Sequence, residues 1–279
     1  MKKNLFTSLI AFIMCLASCS FVSKDFDTSD KDSLVIQLIT YVLDQAHYLD
    51  KEIDDDFSEK VFNTFLENLD PYKRYFYTSD IEEFSEYKYS IDDAFKIPNL
   101  DFFDLVYERY KKRMSESEKI FNNILSNPFD FSKDEVCECD FEVLDYVQTN
   151  EELYDRWRKL LKIYVIENYH NEIEDDLRKL EKDSLFQIRN IDLIEKETRE
   201  SLNETMIQNY KFVSEEMLRS DWFSVYINSF VSQYDPNTSY LDPESKDRFD
   251  VDMSGNYAGI GARLQKKIDK VEITEVISG

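Results

Sequence analysis

Glycine is nearly missing from this sequence of 279 residues: there are four, none before Gly255, and three of them, Gly255, Gly259 and Gly261, fall within seven residues. A body without glycine has few positions suited to tight turns of positive φ, which argues against a β-rich fold before residue 255 and for helices. Proline occurs five times, at 71, 98, 128, 236 and 243, spaced as helix stops. The two histidines, His47 and His170, are too few to build a histidine metal centre. Of four cysteines, Cys137 and Cys139 stand two residues apart, an awkward spacing for a mutual disulfide. No disulfide framework, metal site or cofactor is called for. Positive charge is scarce as well, 34 Lys and Arg against 58 Asp and Glu, for a net charge of −24. That balance argues against nucleic acid as a partner; solubility alone explains it, and a basic protein client would be favoured electrostatically.

No apolar run after the first nineteen residues is long enough to span a membrane. Those nineteen are distinctive. Lys2 and Lys3 precede an apolar stretch over 5–16, and Ala17 and Ser18 lead into Cys19, the order of a cleaved export signal. Leu16-Ala17-Ser18-Cys19 resembles the lipobox of bacterial lipoproteins, so Cys19 is the expected lipidated N-terminus. An ordinary signal that happens to contain a cysteine is the competing reading. The lipobox predicts a protein of the cell envelope, lipid-anchored to a bacterial membrane and facing the periplasm. Residues 1–18 are then the signal, and 19–33, rich in Ser, Asp and Lys, a flexible tether.

Aromatic residues are abundant, with 21 Phe and 18 Tyr, enough for a real core despite the charge. Apolar spacing predicts helices over 34–49 and over 57–69, where Phe57, Val61, Phe65 and Leu69 recur every four residues. Asp70-Pro71 ends the second. Ser79 with Glu82 reads as a capping box opening a helix toward Phe95. Further helices are expected over 101–125, stopped by Asn127-Pro128, and over 151–169, with Trp157 in its core face. Charge-rich 172–209 predicts a protruding helical pair or arm, and 217–233 closes the helical body. After it, the glycine cluster and the alternating run 271–276 signal a β-hairpin and a domain boundary near 250. The fold class is therefore mainly α: a multi-helix domain over 34–250, then a β-rich start over 251–279.

The segment 63–75 also aligns without a gap to 228–240, 165 residues on, sharing Asn63/Asn228, Phe65/Phe230, Asp70/Asp235, Pro71/Pro236 and Tyr75/Tyr240; Phe84 and Phe249 match at the same offset. Both a duplication and a recurrent helix stop with a packed tyrosine explain it. On either account Asp70 and Asp235 are turn acceptors.

Leu69-Asp70-Pro71-Tyr72-Lys73-Arg74-Tyr75-Phe76 with Ser79-Asp80-Ile81, Trp157-Arg158, and Tyr234-Asp235-Pro236-Asn237-Thr238-Ser239-Tyr240-Leu241-Asp242-Pro243 followed by Phe249, Met253-Ser254 and Gly259-Ile260-Gly261-Ala262 resemble, in order, the bacterial tail-specific, or carboxyl-terminal processing, proteases. The resemblance covers 35–279. It implies an N-terminal helical domain, then a PDZ domain, then a serine endopeptidase domain with a lysine base that cuts proteins near their C-termini. It makes 251–279 the start of a PDZ domain. Gly259, Ile260, Gly261 and Ala262 become the expected site for a peptide C-terminus, because backbone N–H groups of such a turn can cradle a carboxylate. No catalytic residue is assigned: the sequence is read as truncated before the protease domain and inactive alone. The implied partners are protein substrates through their C-termini, an adaptor lipoprotein or a second protomer through the helical domain, and the membrane through the anchor. The alternative is a non-catalytic envelope lipoprotein serving as an interaction or adaptor module. A helical structural lipoprotein unrelated to proteolysis leaves the ordered match at 234–262 without an explanation.

Overall fold

A computed structural model describes residues 28–49, 51–254, 261–266 and 271–276. Helix α1 (Thr28–Ala46) begins inside the stretch read as tether. Residues 28–33 are thus helical, and Asp32 is buried because Arg219 reaches across to it. Helix α2 (Asp55–Leu69) starts where Asp54 accepts the Phe57 N–H at 3.0 Å, and buries Phe57, Val61, Phe62, Phe65, Leu66 and Leu69. It stops at Asp70, as the Asp-Pro pair predicts.

The helix expected from Ser79 toward Phe95 is three pieces: α3 (Thr78–Phe84), a 3-10 turn (Ser85–Tyr87) and α4 (Ile91–Lys96). Its cap is made by Asp80, which accepts the Tyr77 N–H at 3.0 Å, and not by the Ser79/Glu82 box. The break before α4 follows from Ser58 on α2: its Oγ accepts the Asp92 N–H at 2.9 Å and donates to the Asp92 carboxylate at 2.7 Å. That gives α4 a helix start of its own. Its Phe95 then stacks on Phe230 with ring centroids 3.6 Å apart.

Helix α5 (Asp101–Leu125) matches its predicted span. Helix α6 (Asn150–Lys182) is capped by Thr149 and runs thirteen residues beyond the predicted end at 169, since nothing between Tyr169 and Lys182 breaks it. Its second half and α7 (Ile191–Lys211) are the predicted helical pair. A π-turn (Phe212–Glu216) leads to α8 (Arg219–Val231), and α9 (Pro243–Ser254) follows. Strands β1 (Ala262–Lys266) and β2 (Val271–Val276) form the expected antiparallel hairpin, with a register shift between Arg263 and Leu264. No helix among the described residues is long and apolar enough to cross a membrane.

Two hydrophobic clusters hold these elements. The larger joins α1, α2, α4, the first half of α5 and α8 around Phe65, Phe103, Tyr226 and Phe230. The smaller joins the end of α5 to the start of α6 around Phe121, Trp157 and Val165. Each fully buried phenylalanine contributes about 1.5–3 kcal/mol of transfer free energy. Helices α2 and α8 carry the two aligned segments and pack on each other. Asn68 donates to the Ser229 hydroxyl at 3.1 Å, and Gln233 donates to the Thr64 hydroxyl at 3.0 Å. Asn68/Gln233 and Thr64/Ser229 are related by the same 165-residue offset, so the two bonds exchange under it. The echo fades at its far end: Phe84 is fully buried, whereas Phe249 is half exposed.

The α6/α7 pair is clasped by Arg189, which binds Asp176 at 2.9 Å, Glu172 at 2.7 Å and Glu197 at 3.0 Å. The Arg189 side chain holds the Asp176 carboxyl down at about 2. A carboxyl lowered in the folded state stabilises it above the ordinary aspartate pKa and ceases to do so as pH falls through the lowered value. The tip of the pair is therefore expected to open between roughly pH 4 and pH 2. Amide exchange over 183–190, corrected for its intrinsic pH dependence, should accelerate across that window in the wild type and be flat in Asp176→Asn. Equal protection at both ends in the wild type contradicts the clasp.

Candidate functional site

Of the four residues expected to hold a peptide C-terminus, Gly259 and Ile260 lie outside the described residues, as does Cys19. Gly261 adopts φ 67°, a left-handed conformation that glycine reaches without a Cβ penalty. Ala262 is the first residue of β1 and pairs with Val276. Among the described residues β1 is paired along one edge only, by β2. A strand with an open edge beside a glycine turn can accept an extended peptide as a further strand.

The two Asp-Pro turns differ in what surrounds them. Asp70 is fully buried and spends both oxygens on its own turn: Oδ1 accepts from Arg74 N at 2.8 Å, and Oδ2 from Tyr75 N at 2.9 Å and Phe76 N at 3.0 Å. Burial pushes its pKa up, and the three N–H groups oppose that rise. Asp235 sits nearer solvent, accepts the Asn237 N–H at 3.2 Å and receives the Tyr48 hydroxyl at 3.1 Å; the Asn237 N–H is the main reason its pKa is lowered. Both aspartates are thus turn acceptors. The second turn is fastened to the end of α1, where His47 Nε2 lies 3.2 Å from Thr238 Oγ1 and the Lys51 ammonium binds the Gln233 carbonyl. Asn228 completes it by accepting from Tyr240 N at 2.8 Å and donating to Tyr240 O at 3.0 Å. These bonds fix the stretch of chain from which α9 departs toward the hairpin.

Trp157 is core, 1 % exposed, and its indole N–H donates to the Arg74 carbonyl at 2.9 Å. Arg158 faces the other way and pairs with Glu135 at 2.6 Å and Asp155 at 2.7 Å. Cys137 and Cys139 are free thiols on the loop between α5 and α6. Among the described residues no group of three or more His, Cys, Asp and Glu is placed to hold a metal ion.

Sequence reasoning missed one cluster. Asp80, buried beneath α5, is bound by Arg113 through Nε and Nη2, both at 2.8 Å, and by Arg109. Arg109 also reaches Glu83 at 2.6 Å, and Arg113 reaches Glu116 at 2.7 Å. Arg109 and Arg113 are four residues apart on a helix, a spacing that puts two cations on one face. That spacing was the available signal.

Comparison with known proteins bears on the whole helical body. The model of the tail specific protease N-terminal domain matches residues 39–244, from within α1 to the start of α9. The tail-specific protease of Haemophilus influenzae is 26 % identical over 255 residues, covering 90 % of this chain and 33 % of that protein. The chain spans about a third of the length of that relative. With three quarters of its residues inside the matched domain, and the second Asp-Pro turn at the domain's end, the chain belongs to the tail-specific protease family, of which it carries the N-terminal helical domain.

Proposed function

We propose that this chain is the N-terminal part of a lipid-anchored tail-specific serine protease that recognises and processes protein C-termini in the cell envelope. The domain match over 39–244 supports this reading: the hairpin follows the matched residues in the chain, where the family resemblance expects a PDZ domain to begin. Gly259, Ile260, Gly261 and Ala262 would receive the terminal carboxylate, with β1 pairing the peptide backbone; the left-handed Gly261 supports that role. In this reading the cutting step belongs to a Ser/Lys protease domain of the kind the family resemblance implies. Cys19 holds the assembly on a bacterial membrane from the periplasmic side, and the helical domain is the surface for an adaptor lipoprotein or a second protomer.

Binding of the full exported protein to a labelled substrate peptide, with a free or an amidated C-terminus, tests the recognition step by fluorescence anisotropy. The free carboxylate is expected to bind at least about tenfold more tightly, a difference of about 1.4 kcal/mol, and Gly261→Val to remove that preference. Equal binding of the two peptides would refute carboxylate capture and favour the non-catalytic adaptor. Separately, Cys19→Ser is expected to move the protein from the membrane fraction to the soluble one. Retention in the membrane would overturn the anchor.

A further inference from the structure

Helix α1 is apolar on more sides than the core uses. Its run 33–43 holds no charged residue, in a chain of which a third of the residues are charged. A helix apolar all round is ordinarily covered all round. Helix α8, uncharged from Trp222 to its end, meets that expectation and buries Trp222, Phe223, Tyr226 and Phe230. Helix α1 is covered on one side only. Val35, Ile36, Ile39 and Leu43 pack into the larger cluster, whereas Leu34, Leu38, Tyr41 and Val42 on the far side leave 50, 55, 66 and 53 % of their surface exposed. Helical spacing puts positions 31, 34, 38, 41 and 45 along the crest of that side, and the only charge among them is Lys31. Single exposed apolar residues are ordinary on a protein surface, but a row of them along one helix marks a contact.

The position of Cys19 selects the occupant. Thr28 follows Cys19 by nine residues, so an acyl anchor there holds the start of α1 no farther than about 30 Å from the bilayer. Within that reach the membrane is present at a high effective concentration, and a weak apolar contact is made often. Leucine and valine beside an amphipathic tyrosine suit the boundary between headgroups and acyl chains. A second copy of the chain fits less well, because each copy brings a net charge of −24. Asp30 and Asp44 border the crest on one edge, which disfavours anionic headgroups and leaves zwitterionic ones. We infer that α1 lies along a zwitterionic lipid surface with Leu34, Leu38, Tyr41 and Val42 in the headgroup region. The contact adds to the acyl chains a second attachment, one that fixes which side of the helical domain faces the bilayer. It rests on the proposed anchor at Cys19 and is independent of peptide binding at Gly261.

The test uses the full lipidated protein inserted in phosphatidylcholine vesicles, with Tyr41→Trp as reporter; Trp157 and Trp222 are buried and give a constant background. In brominated phosphatidylcholine the added fluorescence at position 41 is expected to be largely lost, and Leu38→Glu in the same protein to restore it. Mixing in anionic phosphatidylglycerol should weaken the quenching. An unquenched reporter, or quenching that Leu38→Glu leaves unchanged, overturns the inference. A reporter that is blue-shifted but unquenched also overturns it, because protein and not lipid then covers the face. Should Leu38→Glu not fold, Leu34→Gln takes its place. Flotation of wild type and Cys19→Ser with vesicles reports the anchor separately. If Cys19 does not hold the protein, quenching is read on the unanchored protein at saturating lipid, with partition at least about tenfold weaker in Leu38→Glu; no quenching there overturns the inference as well.

Discussion

Asp80→Ala is expected to lower folding stability by about 3–5 kcal/mol, the range found when one partner of a buried charge cluster is removed, and Tm by roughly 10 °C. The variant would leave Arg109 and Arg113 facing each other under α3 with their common acceptor gone, and would also strip the cap from the Tyr77 N–H. Against a typical total of about 5–15 kcal/mol, that is a large share. Asp80→Asn keeps the cap and the shape but not the charge, and should fall between. The pH dependence runs in a definite direction. Burial works to raise the Asp80 pKa, but hydrogen bonds from Arg113, the Tyr77 N–H and Arg109 win and lower it. The contribution is therefore complete above the ordinary aspartate pKa and lost as pH falls through the lowered one. Urea denaturation of wild type and Asp80→Asn should show a gap at neutral pH that narrows in acid. A gap independent of pH would mean that the charge is not what stabilises.

Asp70→Ala is the second large effect, with an expected loss of about 3–5 kcal/mol, because three backbone N–H groups lose a buried acceptor together and each orphaned group costs about 1–3 kcal/mol. Part of that is returned, since a carboxylate is no longer buried, and burial is what pushes the Asp70 pKa up. Asp235→Ala is the internal control. It stands at the aligned position of a turn of the same kind, yet it is close to solvent and its neighbours Asn237 and Tyr48 can turn to water. Its thermal midpoint should stay near that of the wild type. Similar losses at 70 and 235 would show that the turn motif, and not its burial, sets the cost.

The helical body was legible because its signals are local. Phe57 to Leu69 recur on one face, Asp70-Pro71 and Asn127-Pro128 stop their helices, and α2, α5, α8 and the hairpin appear close to where spacing places them. What escaped depends on residues far apart in sequence. The break before α4 is made by Ser58 on another helix. The early start of α1 is tied to Arg219, nearly two hundred residues away, and the cap at Asp80 is recruited by two arginines on α5. A periodicity cannot contain such partners. Trp157 shows the same limit: its place on a core face was legible, but its indole bond to the Arg74 carbonyl needs α6 laid against the first turn.

The reciprocal bonds between α2 and α8 also bear on the order of assembly. The smaller cluster joins α5 to α6, neighbours in the chain, and can close soon after they are synthesised. The larger cannot, because Phe57, Val61 and Phe65 wait for Tyr226 and Phe230, which a ribosome reaches some 160 residues later. Long-range closure of this kind carries a high loop entropy and slows folding. Until α8 emerges, the apolar face of α2 is uncovered and must be kept from aggregation, so no fragment ending before Val231 can complete the main core of the domain.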